Sequence, residues 1–312
     1  MVSIVITSYN NEATIQRAID SALSQSYNDI EVIVVDDCST DSSTTICKQY
    51  EDKIKVISAV ENRGLPHTRK VGISHASMEF ISFLDADDCL DKNAIEHCVK
   101  CQEETNADIV QMRINRKITK LGITLPFKSK YDKAQALEAC IYNEQLFPIQ
   151  CCAKLYKTDL IRSITPINYD GFWGEDRILN LPIMASNPTI AVEKKANYNY
   201  TFGGATTSKF SINALQEYKQ IYQLKRDWAK QNGYEMYLPM MQAELIELLK
   251  YHIRHLINSK KMTRNESILY LNQELKQSFW KQFQLSTANE LYNREKNSWN
   301  RILKKITLNS IK

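Results

Sequence analysis

The acidic run Asp85-Ala86-Asp87-Asp88 is the part of the sequence whose residue types point most directly to chemistry. It follows the apolar run Phe80–Leu84, and three carboxylates in four residues exceed what helix capping requires. A second acidic pair, Asp36-Asp37, follows the run Glu31–Val35. Carboxylates that lie together repel one another unless a cation or a donor-rich ligand offsets their charge. Carboxylate oxygens suit Mg²⁺ or Mn²⁺, so the sequence predicts a divalent metal site.

A basic segment between the two acidic clusters supplies the opposite charge. Asn62-Arg63-Gly64 is typical of a turn that enters a helix, and Arg69 and Lys70 follow about one turn inside that helix. A helix N-terminus with nearby cations is suited to a diphosphate. The same cations are equally suited to a solvated helix face, so this segment alone does not distinguish the two.

Taken together, these residues resemble the family 2 glycosyltransferases, whose catalytic domain has the GT-A fold. The order and spacing of four segments carry the resemblance: Val2–Asn10, Val35–Asp41, Asn62–Gly64 with Arg69, and Asp85–Asp88. Two later segments extend it: Lys154–Lys157, similar to the segment before the acceptor site, and Gly174–Asp176, similar to the catalytic acidic pair. Lys70 departs from the family pattern, because many relatives carry a neutral amide there.

The resemblance implies a nucleotide-sugar donor, with a UDP-sugar expected, and Mn²⁺ or Mg²⁺ as cofactor. It implies that Thr7, Tyr9 and Asp37 hold the base. Asp85 would lie near the ribose and the metal, and Asp87 would ligate the metal. The further donor-site residues that it implies are Asn10, Glu12, Asn62, Gly64, Arg69 and Ala86. The chemistry agrees, since Tyr9 offers a flat face to a base and a carboxylate such as Asp37 can accept a pyrimidine N–H. Asp36 is expected to bind nearby backbone instead.

The implied reaction inverts the anomeric carbon, with Asp176 as the general base for the acceptor hydroxyl and Glu175 beside it to orient the acceptor or support the loop. The competing interpretation is structural: acidic residues favour the first turn of a helix, and one is predicted at Arg177–Met184. The resemblance also places Lys154, Trp173 and Gly174 at the acceptor. It implies a mobile segment over Tyr198–Ser208 that closes on the diphosphate, with Thr206 and Thr207 as phosphate donors.

Alternating apolar runs and helical patterns predict the elements that bring these residues together. The predicted strands are Val2–Ile6, Glu31–Val35, Lys55–Ser58, Phe80–Leu84 and Asp108–Met112. The predicted helices begin near Ile15, capped by Asn10 or Asn11, after Asp41, near Leu65 and near Lys92. The expected fold is α/β: a GT-A domain over residues 1–210, Rossmann-like with a mostly parallel sheet flanked by helices. Residues 211–312 are predicted to be helical, with interruptions around 232–233, 258–263 and 285–287.

Charge and composition narrow the partners. The formal net charge of +4 divides into −5 over residues 1–208 and +9 over residues 209–312. The basic end around Trp299 and Lys304-Lys305 indicates peripheral contact with an anionic membrane or a polyanionic acceptor. No nucleic-acid motif is present, so nucleic acid is not an expected partner. A second copy of the chain is a further candidate.

The cysteines and the amino terminus, which lacks the basic opening and long apolar core of a signal peptide, indicate a cytoplasmic protein, and the basic end would allow it to bind the inner face of the membrane. The eight cysteines are irregularly spaced and are expected to be reduced. His97, Cys98 and Cys101 lack the fourth ligand of a zinc site and are interpreted as helix residues.

Two other functions compete with that of a glycosyltransferase that acts on a glycan or lipid-linked acceptor. A sugar-phosphate nucleotidylyltransferase would need a glycine- and arginine-rich loop near the amino terminus, and Thr7–Glu12 lacks one. The other is a non-catalytic scaffold that senses nucleotide and binds a partner glycosyltransferase through its helical region.

Overall fold

The computed structural model describes residues 1–116, 133–142, 148–164, 166–169, 171, 174–201, 214–258, 263–277 and 279. The chain forms two compact units, Met1–Lys209 and Phe210–Lys312. No helix in these described ranges is both long enough and apolar enough to span a membrane.

The first unit contains one sheet with helices beside it. Its strands are β1 (Val2–Ser8), β2 (Ile30–Asp36), β3 (Lys55–Ser58), β4 (Phe80–Asp85), β5 (Cys89–Leu90), β6 (Ile109–Arg116), β7 (Lys154–Lys157) and β8 (Ile190–Tyr200). Its helices are α1 (Ile15–Leu23), α2 (Ser43–Lys48), α3 (Leu65–His75), α4 (Ala94–Thr105), α5 (Lys133–Ile141), α6 (Thr158–Ser163) and α7 (Glu175–Ala185). All five predicted strands and the four predicted helix positions of the first half are confirmed.

The sheet has the order β3-β2-β1-β4-β7-β6-β8-β5. The first four strands of this order are mutually parallel, and β6 is parallel to β8. Strand β7 is antiparallel to both β4 and β6, and β5 is antiparallel to β8. Every residue of β1 is buried, which explains its continuous apolar run, because helices cover both faces of a central parallel strand.

Helix α1 follows β1 and packs an apolar face into the core. Ile15, Ala18 and Ile19 are fully buried. The prediction that Asn10 or Asn11 caps this helix is wrong, since Thr14 is the N-cap residue and makes no side-chain capping bond. Asn11 Oδ1 instead accepts a hydrogen bond from the backbone N–H of Tyr9.

Helix α3 lies very close to β1. A Cβ atom at Gly72 would stand 2.3 Å from Val5 Cγ1, so only glycine permits this approach. The helix begins after Gly64, whose φ of 84° is readily available to glycine, and Pro66 stands in its first turn. These contacts fix the position from which Arg69 projects.

The second unit is helical, as predicted. Its described helices are α8 (Ala214–Asn232), α9 (Leu238–Asn258) and α10 (Arg264–Leu275), so the first two predicted interruptions are confirmed. The buried positions of α9 include Leu245, Leu249, His252 and Leu256, which recur at helical spacing along one face. Thr263 and Glu266 form a reciprocal capping box at the start of α10. The third predicted interruption and the basic end around Trp299 lie outside the described residues.

Candidate active site

The carboxyl ends of β1, β2 and β4 bring the predicted donor residues to one edge of the sheet. Ser8 pairs with Asp36, and Thr7 pairs with Asp85. Tyr9 follows directly and is 40% exposed. Ligands of open parallel sheets bind beyond the carboxyl ends of the strands, so this edge is the candidate site.

Two loops at this edge are joined by reciprocal hydrogen bonds. The Asn10 N–H donates to Ser39 Oγ, and Asn10 Oδ1 accepts from the Thr40 N–H. The Glu12 N–H donates to Asp41 Oδ2, while Glu12 Oε2 accepts from the Ser42 N–H. Asn10 and Glu12 therefore shape the walls beside Tyr9 through protein contacts.

The adjacent acids Asp36 and Asp37 have different partners. Asp36 accepts hydrogen bonds from Ser39 and Thr44, as the sequence predicts. Asp37 accepts from the backbone N–H groups of Arg63 at 3.0 Å and Gly64 at 2.7 Å. Its carboxylate thus lies beside the turn that enters α3 and fixes the backbone of that turn.

Arg69 is buried at the centre of the site and contacts three carboxylates. Its Nη2 donates to Asp85 Oδ1 at 3.2 Å. Its Nη1 donates to Glu175 Oε1 at 3.3 Å and to Asp176 Oδ1 at 3.0 Å. Burial opposes the charged guanidinium, but the carboxylates outweigh it, so the pKa of Arg69 lies above its ordinary value. Both terminal nitrogens of Arg69 thus bind carboxylates, and its predicted role at the donor stays a prediction.

The Glu175-Asp176 pair begins α7, after Gly174 in the left-handed region with φ of 73°. Asp176 Oδ1 also accepts from the Cys151 N–H at 2.8 Å. Burial, followed by the charge of Asp176, raises the pKa of Glu175 above its ordinary range. The pair therefore does stand in a first helical turn, yet its carboxylates bind Arg69 across more than a hundred residues of sequence.

The acidic run forms a turn in which the three carboxylates differ. Asp88 is fully buried, Asp85 binds Arg69, and Asp87 is partly exposed. Burial, followed by the charge of Asp85, raises the pKa of Asp87 to about 6 and that of Asp88 to about 8. Desolvation and like-charge repulsion thus disfavour ionised carboxylates here, and a divalent cation would reverse both effects.

A metal ion fits this turn only with help from a ligand. No group of three His, Cys, Asp or Glu side chains in the described part of the chain has the geometry to hold one. Mg²⁺ and Mn²⁺ commonly bind one or two carboxylates and take their remaining ligands from water and substrate phosphates. Asp87 suits that arrangement. The other predicted ligand, Asp85, directs Oδ1 to Arg69, and Ala86 between them is buried.

The remaining predicted residues fall in different places. Lys154 is fully buried, its Nζ donates to Gln150 O, and desolvation lowers its pKa. The ammonium thus lies inside the protein, and its predicted contact with the acceptor stays a prediction. Asn62 is exposed beside Gly64, at the start of α3. Trp173, Thr206 and Thr207 lie outside the described residues.

Arg17 is a site residue that the sequence analysis missed. Its Nη2 donates to the backbone oxygen of Asp87 at 2.5 Å and to Thr201 Oγ1 at 2.9 Å. The available signal was that Arg17 is the one cation in the sequence of α1, a helix that directly follows the Tyr9-Asn10 segment.

Comparison with known proteins identifies the class that this fold and site define. The family described as "Glycosyl transferase family 2" matches residues 3–165, slightly more than half of the chain. The chain belongs to glycosyl transferase family 2. The predicted family membership is thereby confirmed.

Curated relatives match part of their own length. Glycosyltransferase GlyA of Streptococcus pneumoniae is 26% identical over 221 residues, which are 67% of this chain and 31% of GlyA. The poly(ribitol-phosphate) beta-N-acetylglucosaminyltransferase TarS of Staphylococcus aureus is 28% identical over 165 residues, 51% of this chain and 28% of TarS. The chain thus spans about a third of the length of these relatives.

Solved structures establish the fold. The crystal structure of TarS residues 1–349 superposes with a TM-score of 0.61 at 21% identity, covering 87% of this chain and 78% of that one. The mannosyltransferase PcManGT of Pyrobaculum calidifontis, in complex with GDP-Man and Mn²⁺, gives 0.52 at 13% identity, with 92% and 84% covered. The fold is GT-A, followed by a helical region, as predicted.

Proposed function

We propose that this chain is an inverting glycosyltransferase that moves a sugar from a UDP-sugar to a hydroxyl of a glycan or lipid-linked acceptor in surface polysaccharide synthesis. The observation that carries the proposal is the contact of one buried guanidinium, Arg69, with Asp85 on the donor side and with Glu175 and Asp176. Acids from distant parts of the sequence meet at the crevice where a donor would bind. TarS, which has been solved with UDP and with UDP-GlcNAc, supports UDP as the nucleotide.

The donor's base is assigned to the exposed ring of Tyr9, near the buried Thr7 at the carboxyl end of β1. Asp37 shapes this pocket by fixing Arg63 and Gly64, and the hydrogen-bonded loops of Asn10 and Glu12 form its wall. Aromatic faces stack on bases at little conformational cost, which suits a half-exposed tyrosine. In these assignments, the loops that follow β1 and β2 form the pocket for the base.

The proposed cofactor is Mn²⁺ or Mg²⁺, held by Asp87 and by the donor diphosphate. When bound, such an ion stabilises the negative charge that develops on the leaving nucleoside diphosphate. The protein's contribution is the orientation of Asp87. The PcManGT complex with Mn²⁺ supports divalent metal use by proteins of this fold.

Asp176 is the proposed general base. Arg69 and the Cys151 N–H both bind its Oδ1, so we assign Oδ2 to the acceptor proton. As the acceptor oxygen forms its bond to the anomeric carbon, its proton passes to Asp176 and the bond to the diphosphate breaks, with the electron pair leaving on the diphosphate. Glu175 supports the pair through Arg69.

The decisive experiment is the Asp176→Asn substitution, which preserves shape and removes the base. Transfer is expected to fall by about 10²–10⁴-fold, while UDP affinity, measured by calorimetry with Mn²⁺, changes by less than about threefold. Turnover that stays unchanged would exclude Asp176 as the base, whereas a wild-type chain that binds UDP and shows no transfer would favour the non-catalytic scaffold. Glu175→Gln is the matched control, because it alters the neighbouring acid and leaves Asp176 in place.

The donor is tested by a hydrolysis and binding screen over UDP-, GDP- and dTDP-sugars with and without Mn²⁺. UDP-sugars are expected to bind best, and only with the metal present. Failure of all three nucleotide classes to bind or react would overturn the proposed function as a whole.

A further inference from the structure

The acidic run is a closed turn held from inside the protein. The Asp88 N–H donates to Asp85 O at 3.0 Å, which closes the turn and puts Asp87 near its corner. Asp88 is fully buried, unlike Asp87. The last carboxylate of the run therefore points to the protein interior, where its partners lie on β8.

One hydroxyl, that of Tyr198, joins both ends of this turn. It accepts from the Asp85 N–H at 3.1 Å and donates to Asp88 Oδ2 at 2.7 Å. Asp88 Oδ1 accepts from the Thr201 N–H at 2.6 Å. Tyr198 itself is fully buried, so water does not compete for these bonds.

Arg17 holds the corner of the turn from the side of α1. Its Nη2 donates both to the backbone oxygen of Asp87 and to Thr201 Oγ1. Helix α1, the acidic turn and the end of β8 are therefore connected at the residue that presents the predicted metal ligand. Because Arg17 is exposed, its guanidinium acts on the outer side of the turn and Tyr198 acts on the inner side.

We propose that Asp88, Tyr198 and Arg17 are positioning residues that fix the orientation of Asp87, and that Asp88 is not a metal ligand. The inference deepens the proposed function and rests on its assignment of the cation to Asp87. Groups that orient a metal ligand through hydrogen bonds contribute about 10–100-fold to metal affinity. Their loss therefore weakens metal binding without removing the ligand.

The test measures Mn²⁺ binding directly, from the electron paramagnetic resonance signal of free Mn²⁺ titrated into the metal-free full chain with UDP. Tyr198→Phe keeps the ring and removes the hydroxyl. It is expected to weaken Mn²⁺ binding by about 10–100-fold, with kcat at saturating Mn²⁺ within a few-fold of wild type. Arg17→Gln, on the surface of α1, is expected to weaken Mn²⁺ binding as well. It replaces Tyr198→Phe as the test variant if Tyr198→Phe folds poorly.

Two comparison variants separate positioning from ligation and from stability. Asp87→Asn removes the proposed ligand, so saturating Mn²⁺ should not restore its turnover. Asp88→Asn keeps that ligand, so saturating Mn²⁺ should restore its turnover. Tyr156→Phe is the matched control: it also removes a buried hydroxyl, which donates to Asn180 Oδ1 at 3.0 Å, and its Mn²⁺ affinity should equal that of wild type.

The outcomes distinguish this inference from the proposed function. Wild-type Mn²⁺ affinity in both Tyr198→Phe and Arg17→Gln would overturn the positioning role alone. If the turnover of Asp88→Asn, like that of Asp87→Asn, is not restored by saturating Mn²⁺, Asp88 is a ligand. That result would overturn the part of the proposal that excludes Asp88 as a ligand. A wild-type chain that binds no Mn²⁺ with UDP would overturn the metal assignment on which both depend.

Discussion

Arg69 offsets the negative charge of three carboxylates at the site. Its buried guanidinium is shared by Asp85, Glu175 and Asp176, which would otherwise repel one another in a low-dielectric setting. Removing one member of a buried ionic network leaves the others uncompensated and costs more than the network itself contributes. Arg69 is therefore as important for stability as for chemistry.

The Arg69→Met substitution tests this charge balance. It should lower the free energy of unfolding in urea by about 3–5 kcal/mol, because three carboxylates lose their cation. Lys70→Met is the matched control one residue along the same helix, where the side chain is exposed, and it should change stability by less than about 0.5 kcal/mol. Equal stabilities of the two variants would show that the ion contacts contribute nothing to folding.

The sequence predicted which residues meet at the site better than it predicted what each one contacts. Acids that directly follow buried strands, such as Asp37 and Asp85, were found because strand ends converge. The partner of Arg69 was not, since its contact with Asp176 joins residues 107 positions apart. The burial of Lys154 was not predicted either, because a lysine next to a strand gives no sign that its ammonium is buried.

Helix α3 is the element that positions Arg69, and Gly72 controls how closely it approaches the sheet. Gly72→Ala would put a Cβ atom 2.3 Å from Val5 Cγ1, so the helix must shift or strain. We expect a loss of about 1–3 kcal/mol of stability in urea, as for other overpacked cores, together with lower transfer activity.

The double variant Val5→Ala/Gly72→Ala provides the control. Removing the valine methyl groups makes room for the new Cβ, so the effects of the two substitutions should be non-additive, with a favourable coupling above about 0.5 kcal/mol. Simple additivity would mean that this contact does not set the position of α3.

His252 gives the helical unit a pH-dependent stability. Burial lowers its pKa to about 4, while the unfolded chain has the ordinary value of about 6.5. Between these values the unfolded state binds the extra proton, so stability is complete above about pH 6.5 and falls by up to about 3 kcal/mol as the pH drops toward 4. Urea unfolding followed by circular dichroism at several pH values measures this slope.

His252→Leu is the comparison, since leucine does not titrate. Its stability is expected to decrease less than that of wild type over the same pH range, whatever constant offset the substitution introduces. Parallel curves for the two proteins would mean that groups other than His252 cause the acid sensitivity.

Hydrophobic periodicity predicted where the strands and helices lie, but it did not predict where each one begins and ends. The five predicted strands and the amphipathic stripe of α1 are present because buried faces impose a repeat on the sequence. The two-residue β5 is too short for such a repeat, and the pairings of β5 and β7 depend on β8 and β4, which lie far from them in the sequence. The cap of α1 was wrong because Asn11 binds the Tyr9 N–H.

At the scale of the whole chain, charge is unevenly distributed between residues 1–208 and 209–312, at −5 and +9. A basic region gains about 1 kcal/mol per Lys or Arg that reaches an anionic lipid surface. We therefore predict that the chain sediments with phosphatidylglycerol vesicles at about 0.05 M salt and is released at about 0.5 M.

Two pairs of charge reversals test whether vesicle binding depends on the basic end of the chain. Lys304→Glu/Lys305→Glu should weaken vesicle binding, whereas the same change at Lys48 and Lys53, in the first unit, should not. Equal binding to neutral phosphatidylcholine vesicles would instead point to apolar contact and contradict an electrostatic origin.

The Arg69 cluster also limits how this chain can be recombined with its relatives. The family match covers residues 3–165, so it includes Arg69 and Asp85 and ends before Glu175 and Asp176. A chimera cut at that boundary would combine a guanidinium from one parent with carboxylates from another. Under the proposed function, Asp85 on the donor side and Asp176 at the acceptor should therefore come from the same parent, and exchange of modules between homologues should succeed when the crossover lies beyond α7.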